Sequence, residues 1–286
     1  MSMTSGAILI TGASSGIGAA TAMRLAKKGY KVYATARRVE ALAAAKRAGC
    51  EILSLDVASE TSMCMAVADI EAREGSIGAL VNNAGFSQPG ALETLSIDAV
   101  RQQFETNVFG LLRLTQLVLP GMRRQGRGRI INISSMGGRL TFPGEGAYHA
   151  SKYAVEALSD ALRFEVSGFG INVVLIEPGF IRSGFSDAAI NRIEMSDSND
   201  AYAAFNQAVA ATTRAAYSPS IIAKLGGEAD AVAAAVERAL EADKPKARYA
   251  VTPSAHILLA VRSLCSDRMW DWLMRKRFPQ PAAHKA

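Results

Sequence analysis

A tyrosine and a lysine four residues apart, with a serine thirteen residues before the tyrosine, form the pattern in this sequence best suited to proton chemistry. They are Ser135, Tyr148 and Lys152. On a helix, side chains four residues apart lie on one face, one turn apart. A phenol normally titrates near pH ~10, and a nearby ammonium favours the phenolate and so lowers the phenol's pKa. The pattern predicts a tyrosine that exchanges a proton with a substrate oxygen held by the serine.

Short patterns also recur by chance, so the same residues are alternatively two ordinary helix side chains and a loop hydroxyl. The surrounding segments decide between these interpretations. Ser135 ends the apolar run 129–135, which is typical of a buried strand, and the tyrosine and lysine lie in a predicted helix at 146–168. A hydroxyl at the end of that strand would face the helix.

A short apolar strand, 7–10, leads directly into a glycine-rich turn and a helix predicted from Ile17 to Lys28. Glycines let the backbone approach a pyrophosphate, and the N-terminus of a helix supplies free N–H groups and a positive dipole end. The glycine spacing is GxxxGxG rather than the GxGxxG of the usual dinucleotide fingerprint. The segment predicts a phosphate-binding turn formed by Gly12, Ser14, Ser15, Gly16, Ile17 and Gly18.

Two arginines follow the second predicted strand, where NAD-binding folds place an acidic residue on the ribose. Here the position holds Ala36, followed by Arg37 and Arg38. Two guanidiniums and no carboxylate favour a ribose 2′-phosphate, so we predict NADP(H) as the cofactor. The alternative is that both arginines are surface charges at a strand end.

Apolar and helical segments alternate along most of the chain. Strands are predicted at 7–10, 30–36, 51–57, 79–85, 129–135, 171–177 and 248–252, and helices at 17–28, 40–48, 60–74, 97–123, 146–168 and 229–242. This alternation implies parallel strands joined by right-handed crossovers, with helices on both faces. We therefore predict a single α/β domain over 1–286 with a doubly wound parallel sheet, a small helical cap over the cleft at about 184–227, and a C-terminal helical segment at about 255–278.

Ligands of such sheets bind at the carboxyl ends of the strands. Small or polar residues stand at several of these ends: Asp56, Asn82, Asn83, Ala84, Gly85, Ser135, Pro178 and Gly179. Asn107 lies inside the predicted helix 97–123, where asparagine is a poor helix former. It either marks a break that aims its amide or a water at the site, or is an exposed residue tolerated by packing.

The composition is that of a globular protein, with 49% hydrophobic and 20% charged residues. We expect no secretory signal, no membrane span, no metal site and no nucleic-acid partner, and the three separated cysteines favour a cytoplasmic location. The net charge is +6, and many of the basic residues lie after residue 261: Arg262, Arg268, Arg275, Lys276, Arg277 and Lys285. They overlap a segment at 257–278 that is rich in large apolar residues and has a basic end. That segment is expected to pack against its own domain, and peripheral contact with a membrane is the alternative.

Taken together, these motifs resemble those of the classical short-chain dehydrogenase/reductase family over about residues 6–253. The resemblance implies a Rossmann fold and hydride transfer between a nicotinamide and a carbonyl or alcohol. It assigns Tyr148 as general acid/base, Lys152 as its partner that also binds the ribose, Ser135 as orienter of the substrate oxygen and Asn107 as holder of a relay water. It extends the cofactor-binding set to Gly12, Ser14, Ser15, Gly16, Ile17, Gly18, Arg37, Arg38, Asp56, Val57, Asn83, Ala84, Gly85, Tyr148, Lys152, Pro178, Gly179, Ile181 and Ser183.

Two features refine the resemblance. Ser183 stands where the family usually has threonine, a change that keeps the hydroxyl. The run Tyr-Ala-Thr-Ala-Arg-Arg and the long C-terminal segment are similar to the hydroxysteroid and retinol dehydrogenase branch. The resemblance also implies a homodimer or homotetramer paired through the helices 97–123 and 146–168.

We expect an NADP(H)-dependent oxidoreductase acting on an apolar ketone, aldehyde or secondary alcohol. The alternatives are a 3-ketoacyl-thioester reductase and a sensor or scaffold that binds NADP without chemistry. The side chains predicted to flank the substrate are Met136, Gly137, Arg139, Phe142, Phe180 and Phe185. His149 adjoins the tyrosine, but neighbouring helix residues point in different directions, so no catalytic role is predicted for it.

Overall fold

Seven parallel strands form one sheet, with helices on both faces. The computed structural model describes residues 6–193, 201–217 and 225–281. The strands are β1 Ala7–Ile10, β2 Val32–Ala36, β3 Glu51–Ser54, β4 Ile77–Asn82, β5 Gly128–Ile133, β6 Ile171–Pro178, β7 Ile181–Arg182, β8 Gly227–Glu228 and β9 Arg248–Val251. Their order in the large sheet is β3-β2-β1-β4-β5-β6-β9, while β7 and β8 pair separately. The predicted α/β fold with its doubly wound sheet is confirmed.

The helices are α1 Gly16–Lys27, α2 Ala43–Arg47, α3 Glu60–Glu74, α4 Ile97–Phe104, α5 Gly110–Gln125, α6 Gly146–Glu165, α7 Gly184–Ile190, α8 Ala203–Tyr217, α9 Ala229–Glu241, α10 Pro253–Leu264 and α11 Asp267–Arg275. One apolar layer joins α1 and α9 to one face of the sheet, and a second joins α3 and α5 to the other. The central strands are apolar on both sides because both sides are covered. In the described ranges, no helix is both long and apolar enough to cross a membrane.

The strand order reverses between β1 and β4, which opens a crevice at their carboxyl ends. A buried chain of polar side chains fixes the layers beside it. Asn82 Nδ2 donates to Thr115 Oγ1 at 3.0 Å and to Asn132 Oδ1 at 2.9 Å, and Asn132 Nδ2 donates to Ser159 Oγ at 2.8 Å. These bonds tie α5, β4, β5 and α6 together, because buried polar groups are costly unless they are paired.

The predicted helix 97–123 is wrong as a continuous α-helix. A π turn, Glu105–Phe109, separates α4 from α5. The strand predicted at 51–57 is also too long, since β3 ends at Ser54 and the next three residues approach the crevice.

The C-terminal helical segment consists of α10 and α11, and Ser266 caps α11 by accepting from the N–H of Met269. Trp270 and Phe278 are buried, and Trp270 Nε1 donates to the carbonyl of Thr141 at 3.0 Å, which agrees with the expected packing against the domain. Other apolar side chains of the segment stay exposed: Ile257, Val261, Leu264, Met269 and Trp272.

The cap predicted at 184–227 consists, in its described parts, of α7, α8 and the strand β8. Positions 194–200 and 218–224 lie outside the described residues. Phe185 of α7 and Val209 of α8 line the crevice, so these helices form part of its wall.

Candidate active site

Tyr148 and Lys152 lie one turn apart on α6, and both line the crevice. The Lys152 side chain is buried at 6% exposure, and its Nζ donates to the carbonyl of Ile133 at 2.8 Å. The Nζ lies 5.8 Å from the centre of the Tyr148 ring. Burial lowers the pKa of Lys152 to about 8, and the carboxylate of Glu156 opposes this shift. At neutral pH the side chain therefore still carries its proton beside the phenol.

The glycine turn is locked to the end of β4 by Asn83. Its Nδ2 donates to the carbonyls of Thr11 and Gly12, at 2.9 and 3.1 Å. The N–H groups of Asn83 and Ala84 both donate to Thr11 Oγ1 at 3.0 Å. The two loops that would flank a bound pyrophosphate are thus held as one unit.

Two glycines of the turn cannot be replaced without moving the backbone. Gly12 has φ +66, and a Cβ there would lie 2.9 Å from the Cα of Ala84. A Cβ on Gly18 would lie 2.4 Å from the carbonyl oxygen of Gly12. Gly12 therefore serves a left-handed turn, and Gly18 allows helix α1 to pack closely against it.

Asn107 lies in the π turn at 1% exposure, behind the crevice wall. Its Nδ2 donates to the carbonyl of Phe86 and to Ser151 Oγ, while its Oδ1 accepts from the Phe86 N–H. Both amide hydrogens are therefore used. π turns inside helices are rare and often occur at functional sites, which favours a break over a tolerated surface residue. A water held here would have to bind to an oxygen of Asn107.

Ser135 follows β5, and its Oγ accepts from the Gly137 N–H at 3.0 Å. The Gly137 turn lies under His149, since a Cβ on Gly137 would come 2.8 Å from His149 Nε2. His149 Nδ1 accepts from the Phe142 N–H at 3.1 Å, so the proton of the neutral ring is on Nε2. Burial lowers the pKa of His149 to about 4, so the ring is neutral at pH 7. It forms part of the cleft wall rather than pointing away from it.

The crevice is a cleft of about 880 Å³ that contains most of the predicted site. The predicted residues along its wall are Gly12, Ser14, Ser15, Gly16, Ile17, Arg37, Asp56, Val57, Asn83, Ala84, Gly85, Tyr148, Lys152, Pro178, Gly179, Ile181 and Ser183. Four predicted residues are not part of the wall: Gly18, Arg38, Asn107 and Ser135. Gly18 lies behind the glycine turn and Asn107 behind Phe86, whereas Ser135 is turned toward Gly137.

The end of the cleft near β2 and β3 carries Arg37 and Asp56. Asp56 Oδ1 accepts from the N–H of Ala58 at 3.0 Å, which fixes the carboxylate at its loop. Arg37 is exposed at the cleft edge, while Arg38 is exposed outside it. The structure thus separates two arginines that sequence reasoning treated as a pair.

The opposite end of the cleft, beyond Tyr148, is largely aromatic. The Phe185 ring centre lies 5.7 Å from that of Tyr148. Met136, Phe142 and Phe180 line the wall as predicted, and Phe278 of the C-terminal segment joins them. Two predicted substrate neighbours are not part of this wall: Gly137 lies beneath His149, and Arg139 pairs with Glu177 at 3.4 Å.

Two polar residues of this end were missed from the sequence. Glu145 lines the cleft one turn before Tyr148, and its Oε2 accepts from Ser87 Oγ at 2.6 Å. Arg192 also lines it, with its guanidinium 4.4 Å from the centre of the Phe86 ring. The spacing Glu145–Tyr148 is visible in the sequence, but the approach of Ser87 is not.

The sequence profile described as short chain dehydrogenase matches residues 6–193. The chain belongs to the short-chain dehydrogenase family. A nicotinamide-dependent oxidoreductase that acts on CH–OH or C=O groups follows from this membership, and the fold and cleft agree with it. The hydroxysteroid and retinol dehydrogenase branch is a finer assignment and stays a prediction.

The similarity to several known proteins covers nearly the whole of this short-chain dehydrogenase. A 3-ketodihydrosphingosine reductase of Bacteroides thetaiotaomicron is 37% identical over 270 residues, covering 94% of this chain and 96% of the relative. An NADPH-dependent 3-dehydrocapnine reductase of Ornithobacterium rhinotracheale is 36% identical over 280 residues, covering 94% and 95%. The crystal structure of a short-chain dehydrogenase from Streptomyces avermitilis is 38% identical with a TM-score of 0.78, covering 96% of this chain and 99% of that one.

Proposed function

We propose that this short-chain dehydrogenase is an NADP(H)-dependent oxidoreductase for an apolar ketone, aldehyde or secondary alcohol, with Tyr148 as general acid/base. The observation that carries the proposal is the meeting of three features in one cleft. Tyr148 and Lys152 stand between a glycine turn suited to a dinucleotide and an aromatic pocket suited to an apolar substrate. Each of these features also occurs in proteins without this chemistry. Their combination in one cleft supports hydride transfer, because it provides a cofactor site, a proton donor and a substrate pocket together.

The residues at the glycine turn fit an NADP(H) dinucleotide. Gly12 and Ala84 approach so closely that a Cβ on the glycine would clash with the Ala84 backbone, so the glycine keeps the turn in the form that lets its backbone face the cleft. Arg37 stands at the cleft edge where the ribose 2′-phosphate would lie, and no acidic residue occupies position 36. When bound, the cofactor supplies the hydride. The name of the relative from Ornithobacterium rhinotracheale, an NADPH-dependent reductase, supports the same cofactor here.

In reduction, Tyr148 donates its phenolic proton to the substrate oxygen. The ammonium of Lys152 stabilises the phenolate that this transfer leaves, because opposite charges attract strongly in a buried site. Ser135 is assigned to orient the substrate oxygen: its Oγ accepts from the Gly137 N–H, which leaves the hydroxyl hydrogen to donate to the substrate. Asn107 is assigned to hold a relay water through an oxygen, since its amide hydrogens are engaged.

The aromatic end of the cleft favours a bulky apolar substrate. Phe142, Phe180, Phe185 and Phe278 line it, and apolar surface buried against such rings contributes roughly 25 cal/mol per Å². A second candidate is reduction of a 3-ketoacyl thioester, which needs the same catalytic residues. Arg192 and Arg277 at the cleft wall favour this alternative, because acyl carriers are anionic.

We further propose that the protein is a homodimer or homotetramer paired through α5 and α6. Phe109, Tyr153 and Phe164 are exposed at or on these helices, and large exposed apolar groups mark interaction surfaces. Peripheral attachment to an anionic lipid surface is a separate proposal. It is supported by the exposed apolar side chains of α10 and α11 beside Arg268, Arg275 and Lys276.

The test of the proposed function is Tyr148→Phe, with Tyr153→Phe as the matched control on the same helix. NADPH oxidation is measured over a panel of ketones, ketosteroids, retinal and acyl thioesters, and NADPH binding by fluorescence. We expect Tyr148→Phe to lower kcat by ~10²-fold or more with NADPH affinity nearly unchanged. Retained turnover in Tyr148→Phe, or an equal loss in Tyr153→Phe, contradicts the mechanism.

A further inference from the structure

Glu145 is a carboxylate in the part of the cleft wall that is otherwise mainly aromatic. It precedes the first residue of α6, three positions before Tyr148. Phe142, His149 and Phe185 line the same end of the cleft. The catalytic scheme above assigns no role to Glu145, and its side chain caps no N–H of α6.

The carboxylate has a hydrogen-bond donor but no cation. Ser87, which is 2% exposed, donates to it at 2.6 Å. Lys152 is directed to the carbonyl of Ile133, and the guanidinium of Arg192 lies over the ring of Phe86. Across the part of the chain that the structure describes, no lysine or arginine forms an ion pair with Glu145.

A carboxylate in such a place is costly unless a positive charge reaches it. Burial raises the pKa of Glu145 to about 7, and the bond from Ser87 acts in the opposite direction. A ligand that carries an ammonium would supply the missing charge and hold the carboxylate in its ionised form. A neutral ligand would leave it without a counter-ion.

We propose that Glu145 binds a protonated amine of the substrate, which makes the substrate an amino ketone or amino alcohol with an apolar remainder. The inference rests on the proposed function, since it takes the reacting carbonyl to be at Tyr148. Glu145 lies at the N-terminus of α6, three positions before Tyr148, and both residues line the cleft. We take the amine to be on a carbon close to the carbonyl, with the apolar part toward Phe185 and Phe142.

The experiment compares two ketones with the same alkyl tail. One carries a dimethylamino group on the carbon next to the carbonyl, and the other carries an isopropyl group, which has the same shape without the charge. A tertiary amine is chosen because it cannot condense with a second ketone. Wild type, Glu145→Gln and the control Glu165→Gln, an exposed residue of α6, are assayed for kcat/KM with NADPH.

We expect wild type and Glu165→Gln to prefer the amino ketone by ~10-fold or more, as for a charged hydrogen bond. Glu145→Gln should lose this preference by raising KM for the amino ketone, with kcat/KM for the isopropyl ketone within about threefold of wild type. Glu145→Asp, which keeps the charge, should retain part of the preference. A preference that is absent in wild type, or that persists in Glu145→Gln, overturns the inference and leaves the proposed function standing.

If neither ketone is reduced although NADPH binds, the proposed function fails and the inference is decided by binding alone. The probes are then the amino alcohol and the isopropyl alcohol with the same tail, added to the NADPH complex in a thermal-shift assay. A rise in Tm caused by the amino alcohol only, and lost in Glu145→Gln, supports the amine site. Equal shifts with the two alcohols, or no shift with either, overturn it.

Discussion

The Nζ atom of Lys152 donates a 2.8 Å hydrogen bond to the carbonyl oxygen of Ile133, the last residue of β5. The bond fixes the ammonium of α6 against the end of a central strand, where solvent is largely excluded. Holding a charge in such a place lowers the stability of the fold. The position is explained by its use beside Tyr148, because strained or costly groups persist where function requires them.

Lys152→Met is therefore expected to separate stability from activity. The pKa of Lys152 is lowered from 10.5 to about 8, so the unfolded chain binds more protons between these values and wild-type stability rises with pH across that window. Relative to Lys152→Met, wild type should gain about 2 kcal/mol between pH 7 and pH 9.5. Chemical denaturation at both pH values measures this, while kcat of the variant falls ~10²-fold or more. If the free energies of unfolding of wild type and Lys152→Met differ by the same amount at both pH values, the assigned pKa is contradicted.

Glu145→Gln should show the opposite dependence on pH. The pKa of Glu145 is raised from 4.5 to about 7, so the folded state binds more protons between these values and wild-type stability falls as pH rises. Wild type should lose about 2 kcal/mol relative to Glu145→Gln between pH 5 and pH 8. Glu40→Gln, at an exposed turn, controls for the change in net charge. If the free energies of unfolding of Glu145→Gln and Glu40→Gln both change with pH as that of wild type does, the Glu145 carboxyl is not buried in the way described.

Arg37→Ala should weaken NADPH without affecting NADH. A charge-assisted bond to the 2′-phosphate is worth roughly 1.5–3 kcal/mol, which corresponds to about a 10- to 100-fold increase in KM for NADPH. Arg38→Ala is the matched control, because Arg38 does not line the cleft. Steady-state kinetics with both cofactors measure the effect. A larger loss in Arg38→Ala, or a wild-type preference for NADH in kcat/KM, would overturn this assignment.

Phe164→Glu should dissociate the oligomer. Phe164 is 86% exposed near the end of α6, and a carboxylate placed in an apolar contact between subunits would have to lose its water. Light scattering after size exclusion should give a dimer or tetramer for wild type and a smaller species for the variant. Leu264→Glu, a similarly exposed position on α10 at 83%, should leave the mass unchanged. A monomeric wild type rejects the proposal outright.

The double change Leu264→Glu/Trp272→Glu should abolish binding to vesicles that contain phosphatidylglycerol. Both side chains are exposed on the C-terminal helices, so the change removes apolar contact and adds repulsion from the anionic surface. Flotation of the full chain is the measurement, with Phe164→Glu as the control. Truncation at Val261 is less informative because it also removes Trp270, which is bonded to Thr141. Wild type that stays at the bottom of the gradient disproves the attachment.

Local patterns predicted the fold because helix and strand periods depend on neighbouring residues. On a helix, the four-residue spacing of Tyr148 and Lys152 places both on one face. The glycine turn is likewise fixed locally, by the strand before it and the helix after it. A break at Asn107 is one of two alternatives that the sequence leaves open, and local patterns do not decide it because the π turn is held by bonds to Phe86 and Ser151, 21 and 44 residues away.

The sequence alone thus determined which polar or small residues follow each strand, the glycine turn and the tyrosine–lysine pair. Each of these depends on residue spacing within one or two elements. Only the tertiary structure decided which arginine reaches the cleft, that Arg139 pairs with Glu177 instead, and that Ser87 meets Glu145 across 58 positions of chain. These outcomes depend on how distant segments pack, and packing is set by the whole core rather than by any local period.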